Sequence, residues 1–165
     1  MKKTLLLFGI VLSFLVYTDG IQAQTTGSQL NQLVQMKQFI GTWQMDTGED
    51  SVLVAEIQQQ GKAFVETDYR IIKGEKSWLS IWSYSFSSKE GKFKLFDLNK
   101  SGNYTTWIAS FTSEKKWIQE QVQNFSPEKV LRKVEIVFES PSEMTATFFN
   151  SDGVKTGEEK AIKVK

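Results

Sequence analysis

The chain has no cysteine, no histidine and only two prolines among its 165 residues. Each absence excludes something. Without cysteine no disulfide can staple the fold, so burial of apolar surface has to hold it together. Without cysteine and histidine the two commonest zinc ligands are missing. The imidazole-assisted nucleophiles of serine and cysteine hydrolases are missing with them. What remains for acid–base chemistry is carboxylate, tyrosine and lysine, and the pairs to weigh are Glu66 with Tyr84 and Asp68 with Arg70. No paired acidic signature accompanies them, so the expectation is a protein that is not an enzyme. Asp46, Glu49 and Asp50 cluster in one turn. They lack the spaced carboxylates and glycine of a calcium loop, so neither metal nor cofactor is expected.

Long apolar runs are scarce as well. One stretch, Leu5 to Val16, is too short for a spanning helix. It follows Lys2 and Lys3 and leads to Ile21-Gln22-Ala23, the order of a secretory signal peptide over residues 1–23. Cutting after Ala23 takes 23 residues from the 165 and leaves 142, the size of one ordinary domain. Lys2, Lys3 and Asp19 leave with the segment, so 18 basic and 18 acidic residues remain. A neutral chain without a basic cluster has no footprint for nucleic acid and no polybasic signal for anionic membranes. The expectation is a periplasmic or secreted protein without a stable membrane anchor, monomeric or weakly dimeric.

Residues 24–39 read as a polar lead and a short amphipathic helix. Leu30, Leu33, Met36 and Ile40 fall at helical spacing, with Ser28 as N-cap. From Ile40 to the end the apolar pattern has period two. Turn residues cut it into ten runs: Ile40–Thr47, Ser51–Gln58, Lys62–Ile72, Lys76–Phe86, Lys92–Leu98, Asn103–Thr112, Lys115–Gln123, Val130–Phe138, Glu143–Asn150 and about Gly157 to Val164. Both prolines, Pro127 and Pro141, fall in turns between runs. Ten short strands joined by hairpin-length loops, with no helix between them, predict an all-β fold. A meander of this length avoids bare edges by closing, which gives an antiparallel up-and-down barrel of about 8–10 strands over residues 40–165.

Alternation along each run separates the faces. Trp78, Ser80, Trp82, Tyr84 and Phe86 share one side of the fourth run, and neither side of it is charged. Trp107 and Phe111 share a bulky side, Trp117 lies with Gln119 and Gln121, and Arg132 ends an apolar side with Val134, Ile136 and Phe138. In the third run Ala63, Val65, Thr67, Tyr69 and Ile71 form an uncharged side, while Phe64, Glu66, Asp68 and Arg70 form the other. Burying those charges costs several kcal/mol each unless they are paired, so Glu66, Asp68 and Arg70 are expected to be solvated and mutually paired, the alternative being a polar strip inside the cavity.

The stretch Phe39-Ile40-Gly41-Thr42-Trp43, a Gly-x-Trp after a short helix, resembles the opening of the calycin barrels, which include lipocalins and fatty-acid-binding proteins. The series continues with Gly61-Lys62-Ala63-Phe64-Val65-Glu66-Thr67, a long aromatic strand, Gly91-Lys92-Phe93, and Asn103-Tyr104-Thr105-Thr106-Trp107-Ile108. This order is similar to a bacterial secreted lipocalin-like family of unknown function. The resemblance implies that Gly41 bends the chain into a barrel and that Trp43 plugs its closed end. It also implies a late arginine packed over the plugging Trp, a role for which Arg132 is the one late arginine. Two departures matter. Heme-binding barrels of the nitrobindin type hang iron on a histidine, and none exists here. Fatty-acid-binding proteins clamp a carboxylate with Arg-x-Tyr near the C-terminus, where this chain has Glu159-Lys160-Ala161-Ile162-Lys163-Val164-Lys165.

The expected function is therefore binding of a small apolar or amphipathic ligand inside the barrel by Trp43, Trp78, Trp82, Tyr84, Trp107, Phe111, Trp117 and Arg132. An internal cavity above roughly 300 Å³ favours that reading and a filled interior opposes it. The alternative is a non-enzymatic protein-interaction module at the cell surface or in the periplasm, working through an exposed aromatic strand.

Overall fold

The computed structural model describes residues 30–48 and 50–165. The expected signal peptide, the polar lead, Ser28 and Glu49 lie outside the described residues. The first element is the helix α1, Gln32–Met36, continued by a 3-10 turn, Lys37–Phe39. Its N-cap is Asn31, whose side chain accepts a hydrogen bond from the Val34 N–H at 3.2 Å.

Ten strands follow: β1 Gly41–Asp46, β2 Ser51–Gln60, β3 Ala63–Ile72, β4 Glu75–Ser87, β5 Lys92–Asn99, β6 Tyr104–Ser113, β7 Lys116–Gln123, β8 Ser126–Ser140, β9 Glu143–Asn150 and β10 Lys155–Lys163. Each pairs antiparallel with its sequence neighbour, and β1 pairs with β10 to close the barrel. Closure removes the sheet edges that an open meander of this length would expose. The closing ladder is short. Trp43 lies opposite Lys163 and Gln44 opposite Ile162, and backbone bonds of 2.8 Å join Thr42 with Val164 and Lys165. The N-terminal part of β10, Lys155 to Ala161, is paired with β9 alone.

Local chemistry explains the joints. Gly41 has φ +132°, and a Cβ there would run into the Lys165 carbonyl oxygen. The backbone bends where only glycine fits, which is the bend expected of the Gly-x-Trp opening. The prolines behave differently from expectation. Pro141 sits in the β8–β9 turn, but Pro127 falls within β8. The turn lies one step earlier, at Asn124 and Phe125, both with positive φ. The β7–β8 register then runs from Gln123 opposite Ser126 to Val122 opposite Val130, so residues 127–129 bulge out of the ladder. A bulge is the place in a strand where a residue without an N–H costs least.

The helix covers one end of the barrel. The Gln32 amide bonds both ways with the Phe111 backbone, donating at 3.0 Å and accepting at 2.8 Å. Met36 and Phe39 drop into the end beneath it and are buried. Phe39 meets Phe138, Trp117 and Phe111 with ring centroids 4.8, 5.5 and 6.0 Å apart. Trp43 is fully buried beside Phe138, and its indole N–H donates to the Phe39 carbonyl at 2.8 Å. This end is an aromatic plug in which the Trp43 N–H and the Gln32 amide are satisfied.

Candidate functional site

Register carries the inward face from strand to strand. Trp43 points into the plug; Ala55 lies opposite it on β2, and Asp68 lies opposite Ala55 on β3. Ile57 and Gln59 likewise face Glu66 and Phe64. On the other side of β3, Phe64, Glu66 and Asp68 lie opposite Tyr84, Trp82 and Ser80 of β4. The expectation for β3 is therefore overturned for Glu66 and Asp68, while Arg70, beyond them on the strand, is exposed as expected. Phe64, Glu66 and Asp68 point into the barrel, and Ala63, Val65 and Thr67 form the outer side. The cost of bringing carboxylates inside is met by hydrogen bonds. The Trp82 indole N–H and the Ser80 hydroxyl donate to one oxygen of Asp68 at 2.9 and 2.8 Å. The Tyr84 hydroxyl donates to Glu66 in a short hydrogen bond.

Above the plug, these groups line an internal cavity of about 240 Å³. Its floor includes Phe39 and Trp117. Its polar wall is Glu66, Asp68, Tyr84, Trp82, Gln119 and Glu159, and the rest is apolar, including Ile57, Val134, Ile136 and Phe148. The interior is not filled, but its volume falls below the ~300 Å³ expected to favour the ligand-binding reading. Two larger hollows of about 460 Å³ lie on the outer wall, one around Gln44 and Asp46 and one around Thr42 and Glu56. Both are open to solvent and neither reaches the carboxylates inside.

The electrostatics follow from enclosure. Burial pushes the Glu66 carboxyl well above its ordinary value, and the neighbouring Asp68 pushes it further; the Tyr84 hydrogen bond pulls the other way. Burial raises the Tyr84 hydroxyl as well, with the Glu66 charge next. Asp97 on β5 lies opposite Trp82 and opposite Thr105 of β6. Its carboxyl is also raised, chiefly by burial, against a hydrogen bond from Thr105 at 3.0 Å. Its other oxygen is buried without a partner. The pair Glu66 and Tyr84 is thus joined in one site, whereas Asp68 and Arg70 form no ion pair among the described residues.

The eight residues named from sequence separate into four places. Trp82, Tyr84 and Trp117 line the cavity. Trp43 and Phe111 belong to the plug beneath it. Trp107 is buried beside Trp82, ring centroids 5.6 Å apart, and Arg132 lies over the Trp107 ring at 5.6 Å. The cation over Trp43 is Lys163, at 4.8 Å, held by a hydrogen bond to the Gln38 carbonyl. The stacking of Arg132 on Trp43 is therefore corrected: Arg132 lies opposite Gln121 and Asn150, several residues along β8 from Phe138 and the plug. Trp78 is a second correction. A bulge between β3 and β4 places Trp78 opposite Tyr69 rather than in line with Trp82 and Tyr84, and it is 39% exposed, away from the cavity.

Glu66, Asp68, Gln119 and Glu159 are the polar lining residues absent from the eight named from sequence, although Glu66 and Asp68 were weighed there as members of acid–base pairs. The signal for the first two was the turn at Gly61-Lys62, which sets Gln60 opposite Ala63 and so fixes the β2–β3 register. Among protein-family models and curated proteins, no match to this chain is found.

Proposed function

We propose that this barrel is a non-enzymatic binding protein that holds one small amphipathic molecule in its lumen, as an exported carrier or sensor of the lipocalin-like kind. The observation that carries the reading is the internal cavity of about 240 Å³, mostly apolar, with Glu66, Asp68 and Gln119 converging on it. Binding sites of small molecules have this composition, apolar walls with a few placed polar groups. The volume calls for a ligand smaller than a long-chain fatty acid. Trp82 and Trp117 on the cavity wall supply an intrinsic reporter.

Native mass spectrometry of protein purified from its own host is the test. The reading expects a reproducible bound mass that denaturation removes, and a change of tryptophan emission when that compound is added back. Protein that is always empty, with emission indifferent to a panel of small amphiphiles, overturns it. That result would favour the interaction-module reading, for which the outer wall offers the stacked Phe96 and Tyr104 rings, 5.2 Å apart and both exposed.

A further inference from the structure

We propose that the lumen selects an organic cation, a protonated amine carried on a short apolar body, over an acid or an alcohol of the same size. This rests on the reading of the lumen as a ligand site and names the chemistry it recognises.

A count of donors and acceptors on the cavity wall supports it. The wall's N–H and O–H groups are almost all spent within the protein. Trp82 donates to Asp68, Tyr84 to Glu66, and the Trp117 indole to the Gln119 carbonyl oxygen at 2.9 Å. Among the described residues the neutral donors left are the Gln119 amide N–H₂ and, where its proton is held, the Glu66 carboxyl. Acceptors remain in excess. The Trp82 and Ser80 bonds fall on one oxygen of Asp68 and the Tyr84 bond on one oxygen of Glu66, and the two carboxyls share the Glu66 proton when it is held, so that both become free acceptors once it leaves. Glu159, across the cavity on β10, has neither hydrogen bond nor ion pair among the described residues and lies at the accessible side. A ligand carboxylate would meet acceptors and like charge here, with no cation on the wall to pair with it. A ligand ammonium would meet three acceptors.

The charges agree with the count. The charged side chains on the cavity wall are Glu66, Asp68 and Glu159, all acidic. The inward cations lie elsewhere. Arg132 is held over Trp107 and Lys163 over Trp43, and neither lines the cavity. The Trp82 and Tyr84 rings stack with centroids 6.5 Å apart, and their N–H and O–H edges meet Asp68 and Glu66. Aromatic faces attract cations most when water is excluded. The apolar remainder of the wall takes the carbon body.

Charge balance adds a signature. The groups acting on Glu66 are Asp68 on its own strand, Tyr84 on β4 and Asp97 on β5. Arg132, Lys163 and Glu159 face inward from β8 and β10. Burial and the acidic neighbours hold the Glu66 proton in the empty barrel more tightly than a free carboxyl does. An entering cation takes the place of that proton, which passes to the buffer. At pH values where Glu66 holds that proton, binding of the cation releases it, and affinity rises with pH through the raised Glu66 titration while the amine stays charged.

The probes are hexylammonium, hexanoate and 1-hexanol, one carbon length with three head groups. Titration calorimetry in buffers of different ionisation enthalpy reads both affinity and protons. The expected result is hexylammonium binding at least about tenfold tighter than the other two, with a proton released on binding. Glu66→Gln abolishes the proton release, and Asp68→Asn weakens hexylammonium while leaving 1-hexanol unchanged, which also shows that the variant is folded. Equal binding of the three, or preference for hexanoate, overturns the cation inference and leaves the carrier reading standing. Silence of all three overturns the inference, and only an empty native mass spectrum beside it removes the carrier reading too.

Discussion

The two halves of the barrel interior are built from the same kinds of strand and do opposite things. At the helix-covered end Met36, Phe39, Trp43, Phe111, Trp117 and Phe138 fill the space ring against ring, and the Trp43 N–H finds the Phe39 carbonyl. A few residues along the same strands, the rings give way to Glu66, Asp68 and Gln119 around an unfilled volume. The plug follows the rules of a core: close packing and satisfied polar atoms. The lumen breaks them by placing carboxylates inside, and the break is local. Violations that recur side by side, with hydrogen bonds arranged to tolerate them, are what a functional site looks like.

Substitutions at the two ends should separate stability from binding. The largest loss is expected from Trp43→Ala, which removes a fully buried ring and leaves the Phe39 carbonyl without its donor. Large-to-small changes of this kind cost about 3–5 kcal/mol, measurable as a shift of the urea midpoint. A loss below 1 kcal/mol would mean that the closed end is not a packed plug. Asp68→Ala should cost less, about 1–3 kcal/mol, because it strands the Trp82 N–H and the Ser80 hydroxyl beside a cavity that water can enter. If it costs more than Trp43→Ala, the division into a structural end and a tolerant lumen fails.

Glu66→Gln should act through pH. The folded protein holds the Glu66 proton more tightly than the unfolded chain does, so its carboxyl titrates above the ordinary value near 4.5. The contribution to stability is complete below that ordinary value and is lost as pH rises through the raised one. The wild type should therefore lose stability relative to Glu66→Gln over that interval, read from denaturant midpoints at a series of pH values. Asp97, also raised, leaves a residual slope in the variant. Parallel pH profiles would place Glu66 in solvent. The smallest effect is expected at Trp78, outside the lumen, where Trp78→Ala should leave the bound mass and hexylammonium affinity unchanged and stability within about 1 kcal/mol. Loss of binding there would put the site on the outer wall.

Much of this was legible in the sequence. Period-two runs and turn residues are local, and they suffice for ten antiparallel strands, the closed barrel and the bend at Gly41. The aromatic sides of β4, β6 and β7 pointed inward as alternation requires, except where a bulge intervened. The bulge at Trp78 shifts register by one residue and the one at Pro127 by three, and nothing in the local pattern announces them. The largest miss, the third strand, has a different origin. A charged side was assigned to water on average energetics, although the two-residue turn at Gly61-Lys62 already tied Asp68 to Ala55. In that strand, register decided what burial cost alone could not. The position of Arg132 was a matter of height along the barrel, which sequence order does not state.

The central claim is that Glu66 lies inside the barrel on the wall of the cavity. Carbon-13 NMR of the glutamate side-chain carboxyls, with Glu66→Gln to assign the resonance, tests it without any ligand. The account predicts a Glu66 titration well above the ordinary value near 4.5, falling when Asp68 is replaced by Asn and the neighbouring charge is removed. A Glu66 that titrates at its ordinary value, indifferent to Asp68, would contradict it and return that strand face to solvent.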